Sequence, residues 1–122
     1  MVADLRWQTV CRLDRLLPER GVAALLPGRS AGGAGIDTAL QVALFRTHDG
    51  AVHAIGNVDP FSHAAVLARG IVGDRGGVPT VASPVYKQAF SLVSGRCLDD
   101  PAVCVPVYPV RVTDGWLQVG LP

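Results

Sequence analysis

"LQVALFRTHDGAVHAIGN", residues 40–57, sets two apolar-rich runs on either side of His48-Asp49-Gly50. Each run alternates apolar and polar side chains, the period of a half-buried strand. Asp-Gly tolerates the positive φ of a tight hairpin turn, so the stretch predicts a hairpin with strands near 39–46 and 51–56. The device recurs in "VYPVRVTDGWLQVGL" (107–121), where Asp114-Gly115 is the turn and Leu117, Val119 and Leu121 share one face of the last strand.

Working outward, the pattern stays β. "WQTVCRL" (7–13) and "VAALLPG" (22–28) read as short strands, and "LDRLLPERG" (13–21) as a helical turn between them. "GRSAGGAGID" (28–37) reads as a flexible surface loop, because glycine and small residues bury little apolar area. In "NVDPFSHAAVLARG" an Asp-Pro turn precedes a helical turn over 62–68; "GIVGDRGGVPTVASP" predicts two strands around Gly76-Gly77. "KQAFSLVSGRC" predicts a strand pair bent at Ser94-Gly95, and "LDDPAVCVP" a loop broken by Pro101 and Pro106. Eight to ten short strands with a turn every 8–12 residues predict an all-β fold, a small antiparallel sandwich or barrel.

The chain's 122 residues suit one domain (1–122) with a real core. Apolar residues make up 49% and charged residues 17%, a balance that excludes intrinsic disorder. The net charge is +1, with ten Arg and one Lys (Lys87) scattered along the chain, so no basic stripe marks a nucleic-acid binder. No apolar run approaches the roughly 20 residues of a membrane span, and "MVADLRWQTV" lacks the pattern of a secretory signal. These features predict a cytoplasmic chain. Three cysteines, an odd number, fit a reducing compartment better than a disulfide framework.

No residue set reads as a self-contained active site, and neither catalytic nor metal-binding residues are predicted. His48, His53 and His63 lack metal-ligand spacing and read as surface residues. Cys97 and Cys104 read as buried free thiols rather than a ligand pair, and Cys11 as a core residue. No G-x-S-x-G is present, "GDRGG" lacks the Gly-Lys-Ser/Thr ending of a phosphate loop, and Asp99-Asp100 reads as solvated.

Two loops carry a resemblance. "NVDPFS" (57–62) and "SPVYKQAF" (83–90) each follow a strand and each contain a proline. They resemble the two loops of the Rieske family, which read Cys-Pro-His and Cys-Pro-x-His-Gly. The overlay puts Asp59 and Ser83 at the cysteine positions, Phe61 and Tyr86 at the histidine positions, and Lys87 at the glycine. More narrowly, "ALFRTHDGAVHAIGNVDPFS", "RGIVGD", "VASPVYKQAFSL", "GRCLDDP" and "VPVYPVRV" are similar to the small subunits of assimilatory NAD(P)H-dependent nitrite reductases. That resemblance implies a Rieske-like fold without cluster ligands and an accessory role. It also implies a large catalytic partner subunit carrying FAD, an iron–sulfur cluster and sirohaem, and reduction of nitrite to ammonium.

A Rieske cluster needs two thiolates on one iron and two imidazoles on the other. Phe61 has no lone pair, the Ser83 hydroxyl is a poor substitute for a thiolate, and the Tyr86 phenol ionises only near pH 10. No cofactor is therefore expected in this chain. The Phe61 and Tyr86 rings are expected to fill the space between the loops, and Asp59 and Ser83 to accept loop N–H groups. Arg75, Tyr86 and Lys87 are the candidate partner contacts. Two other readings compete: a stand-alone Rieske-type electron carrier with unusual ligands, and an unrelated small β-barrel binding module.

Overall fold

The computed structural model of the chain describes residues 5–27 and 39–122. The surface loop expected at 28–37 lies outside the described residues. Among them, ten strands run in chain order: β1 (Arg6–Arg12), β2 (Arg20–Pro27), β3 (Ala39–Arg46), β4 (Val52–Gly56), β5 (Ile71–Arg75), β6 (Val78–Ala82), β7 (Ala89–Ser91), β8 (Val107–Tyr108), β9 (Val110–Thr113) and β10 (Trp116–Leu121). They form three sheets, ordered β1-β10-β9, β2-β3-β4-β8 and β5-β6-β7, and every strand pair is antiparallel. The two expected helical turns are single 3-10 turns at Leu13–Arg15 and Leu67–Arg69.

β3 organises the core. Val42, Ala43, Leu44 and Phe45 are all fully buried, so both faces of this strand are covered. Alternation sends Ala43 and Phe45 to a core shared with Ile55, Leu67, Val81, Phe90 and Leu92. Val42 and Leu44 go to a second core with Leu16, Leu117, Val119 and Leu121. The central sheet is thus packed between the other two, where the sequence suggested one buried face per strand.

Of the expected tight turns, two are two-residue turns. Asp114-Gly115 (φ 53 and 81) joins paired Thr113 and Trp116, and Gly76-Gly77 (φ 61 and 89) joins paired Arg75 and Val78. The Asp49-Gly50 connection is longer. The last ladder pair there is Arg46 with Val52, and Thr47 donates its N–H to the Ala51 carbonyl at 2.9 Å. Asp49 holds the wider loop by accepting from the Thr47 hydroxyl and the Ala51 N–H.

The strand pair expected over 87–97 is reduced to β7 and two isolated bridges, Phe90 with Cys97 and Arg96 with Cys104. Ser91 explains the early turn: its Oγ accepts the N–H groups of Val93 and Ser94, both at 3.1 Å. Gly95 then sits at φ 77, where a Cβ would lie 2.2 Å from the Val105 carbonyl oxygen. Only glycine fits that approach.

Candidate functional site

The loops after β4 and β6 are built on one frame, used twice. In the first, Asp59 donates its N–H to the Ala64 carbonyl at 2.8 Å, and His63 donates to the Asp59 carbonyl at 2.7 Å. In the second, Ser83 donates to Gln88 at 2.9 Å and Lys87 donates to Ser83 at 3.0 Å. A proline follows each leading residue (Pro60, Pro84), presetting φ for the turn. His63 and Lys87 both adopt left-handed φ, 64 in each case. The leading side chain completes each frame by accepting the N–H two residues on. Asp59 Oδ1 takes Phe61 at 2.8 Å, and Ser83 Oγ takes Val85 at 3.3 Å.

The two frames are joined through their leading residues. Ser83 Oγ donates to Asp59 Oδ2 at 2.6 Å, and both residues are buried. Burial pushes the Asp59 carboxyl up. The hydrogen bonds from Ser83, the Phe61 N–H and Ser62 outweigh it, leaving the carboxyl below the ordinary carboxylate value. Phe61, half-buried, packs on the inner core with its ring centroid 6.2 Å from that of Phe90.

The expected N–H acceptance by Asp59 and Ser83 is therefore present, and the bond between them is an addition that sequence reasoning missed. Tyr86 departs from expectation: it is 60% exposed and does not fill the space between the loops. The Ser83–Asp59 bond and Phe61 close that space without it, and a buried phenol would need a partner for its hydroxyl. Arg75, a candidate partner contact together with Tyr86 and Lys87, has its backbone at the turn of the β5–β6 hairpin, the end opposite the loop that follows β6. Its guanidinium donates to Asp99 Oδ1 at 3.0 Å. Asp99, read as merely solvated, also accepts the Ala89 N–H at 2.8 Å. These two bonds hold its pKa low, the backbone bond more than the Arg75 bond.

Cys97 is buried as expected, whereas Cys104 is exposed. Its loop lies on the surface beyond the Arg96 bridge. Cys11 is half-buried against the second core, and burial pushes its thiol up. Sequence reasoning also missed Asn57, which is buried at the root of the first loop. Its Oδ1 accepts the Ala68 N–H at 2.8 Å, and its carbonyl accepts the Leu67 N–H at 3.1 Å.

A sequence profile of the family described as "Rieske-like [2Fe-2S] domain" matches residues 6–120. A nitrite reductase (NADH) small subunit of Salmonella typhimurium is 42% identical over 115 residues, covering 93% of this chain and 96% of the relative. The chain belongs to the Rieske-like family of nitrite reductase small subunits. A solved structure described as an NADH-dependent nitrite reductase small subunit from Mycobacterium tuberculosis shares 55% identity. It has a TM-score of 0.86, with 98% of each chain covered. A Klebsiella oxytoca protein described as a nitrite reductase [NAD(P)H] large subunit is 41% identical over 114 residues. The match spans 93% of this chain and 11% of that protein.

The family description raises the fit of a [2Fe–2S] cluster, and the residues at this end do not suit one. The Asp59 and Ser83 oxygens are bonded to each other, Phe61 has no donor atom, and Tyr86 is largely exposed. Among the described residues no three His, Cys, Asp or Glu side chains converge as a metal site. The cysteines lie on β1, beside Phe90 and at the Arg96 bridge, and none occupies a leading position. The arrangement can bind two loops rigidly and present a surface.

Among the described residues no helix is long and apolar enough to cross a membrane.

Proposed function

We propose that this chain, acting as a single Rieske-like domain, is the accessory subunit of a cytoplasmic NAD(P)H-dependent nitrite reductase. It docks on a large catalytic subunit whose FAD, iron–sulfur cluster and sirohaem carry electrons to nitrite, yielding ammonium. The carrying observation is the full-length match to small subunits, at 42% identity over 93% of the chain. The matching segment within a protein described as a large subunit supports the same partner.

The loop end supplies a docking surface in this reading. Val58 (40% exposed), Val85 (43%) and Tyr86 (60%) put apolar area on both loops, and Lys87 adds a cation. Apolar side chains grouped on rigid loops are costly to leave in water and suit a partner surface. Arg75, tied to Asp99, contributes less than Tyr86 and Lys87. The test is co-purification with the large subunit, together with nitrite-dependent NADH oxidation with and without this chain. A complex that Tyr86→Ala and Lys87→Glu weaken supports the reading. No complex and unchanged activity overturn it.

A further inference from the structure

The sheet β1-β10-β9 carries a second feature that the loop end does not explain. Leu117, Val119 and Leu121 of β10 are fully buried, so Trp116 and Gln118 lie on the opposite face by alternation. Ladder partners share a face. Gln118 pairs with Thr9 and Arg111, and Trp116 pairs with Arg12 and Thr113. Both tryptophans of the chain, Trp7 and Trp116, belong to this outer face.

The side chains there are locked to one another. The Arg111 guanidinium lies 4.2 Å from the Trp7 ring centroid, and that of Arg12 lies 5.2 Å from the Trp116 ring. Arg111 Nε donates to Gln118 Oε1 at 2.7 Å, and Gln118 Nε2 donates to Thr9 Oγ1 at 3.0 Å. Trp116 is nonetheless 42% exposed, and with Thr9, Thr113 and Gln118 it lines an open surface concavity. A guanidinium stacked on an indole keeps its in-plane N–H donors for a carboxylate, and stacking together with these hydrogen bonds fixes its rotamer before any partner arrives. Pre-ordered side chains lose little entropy on binding, and tryptophan and arginine dominate the energetics of protein interfaces.

We infer that this Trp–Arg strip is a second docking surface, and that its occupant is an acidic, apolar segment of the large subunit. Charge complementarity selects the occupant: among the described residues Arg12 has Asp14 at 3.7 Å and Asp114 lines the strip beside Trp116, while Arg111 makes no ion pair and is the cation left for an acidic partner. The inference rests on the subunit assignment proposed above and adds a face remote in sequence from the two loops.

Binding of the large subunit to the intact chain tests it, by titration at two salt concentrations and by NMR of the two indole N–H signals. Arg12→Glu/Arg111→Glu should weaken binding at least about tenfold. The wild-type affinity should fall with salt, and the Trp116 indole signal should shift or broaden in the complex. Should the double variant fail to fold, the wild-type indole signals decide alone. Wild-type binding with unmoved indole signals, or an equal affinity for a folded double variant, overturns the strip while leaving the subunit assignment intact. No binding by wild type overturns both. A wild-type homodimer that Arg111→Glu dissociates makes the strip a self-contact and overturns the inference.

Discussion

Ser83 and Asp59, 24 residues apart, are joined by a 2.6 Å hydrogen bond between buried side chains. It couples two loops that are otherwise closed by their own backbone bonds. Removing Ser83 takes the 2.6 Å donor from Asp59 Oδ2. Removing Asp59 leaves the Ser83 hydroxyl and the Phe61 N–H without their acceptor. Each orphaned buried group costs about 1–3 kcal/mol. Asp59→Ala should therefore destabilise more than Ser83→Ala, and the double variant less than their sum, with a coupling of about 0.5–3 kcal/mol. Urea unfolding of the four proteins measures this cycle. Additive losses would show that the two loops are independent.

The same bond sets a pH dependence. Asp59 has a folded pKa below its unfolded value of about 3.9. Its stabilisation is therefore fully present above that unfolded value and is lost as pH falls through the folded pKa. Asp59→Asn should be less stable than wild type at pH 7, and the difference should shrink below about pH 4. Asp49 and Asp99 are also depressed, so the variant keeps part of the wild-type acid sensitivity. Thermal melts of both proteins between neutral and acidic pH decide the matter; a pH-independent difference would remove Asp59 from the acid response.

Lys87 gives a prediction of opposite sign. It holds φ 64 at the position that the Rieske resemblance aligns with glycine. The left-handed region costs a residue with a Cβ about 1–2 kcal/mol, which glycine avoids, while glycine adds about 0.5–1 kcal/mol of unfolded-state entropy. Lys87→Gly should raise stability by a few tenths to about 1 kcal/mol. It should also weaken docking, because the cation is lost. A calorimetric melt that falls instead would show that the lysine side chain stabilises the fold itself.

What could be read from the sequence was what local patterns encode. Asp114-Gly115 and Gly76-Gly77 announce turns through φ, and Leu117, Val119 and Leu121 announce a buried face through alternation. The loops were found by their prolines, at matched places after β4 and β6. The Ser83–Asp59 bond, the Asn57 anchor and the Asp99 link to Ala89 and Arg75 were not legible. Each joins segments at least 10 residues apart through a polar group with no periodic signature. Tyr86 was misplaced for a related reason: an aromatic in a loop does not reveal whether another group has already closed the space it would fill.

The last prediction concerns iron. Anaerobic reconstitution with ferric iron and sulfide should leave the chain colourless, with no stoichiometric metal, at neutral pH. A [2Fe–2S] cluster needs four soft or imidazole donors arranged around it. At this end the exposed Tyr86 phenol and His63 imidazole are too few to hold a cluster, since Asp59 and Ser83 bond each other and Phe61 offers no lone pair. Of the thiols, Cys97 is buried against Phe90 and Cys104 is exposed at the Arg96 bridge, so neither joins the loops. Substituting Asp59→Cys, Phe61→His, Ser83→Cys and Tyr86→His together replaces every deficient donor while leaving the backbone bonds that close both loops. That variant should bind iron under the same conditions and develop visible absorption. Visible absorption and stoichiometric iron in the wild type would mean that it recruits donors other than these loops, and would revive the electron-carrier reading.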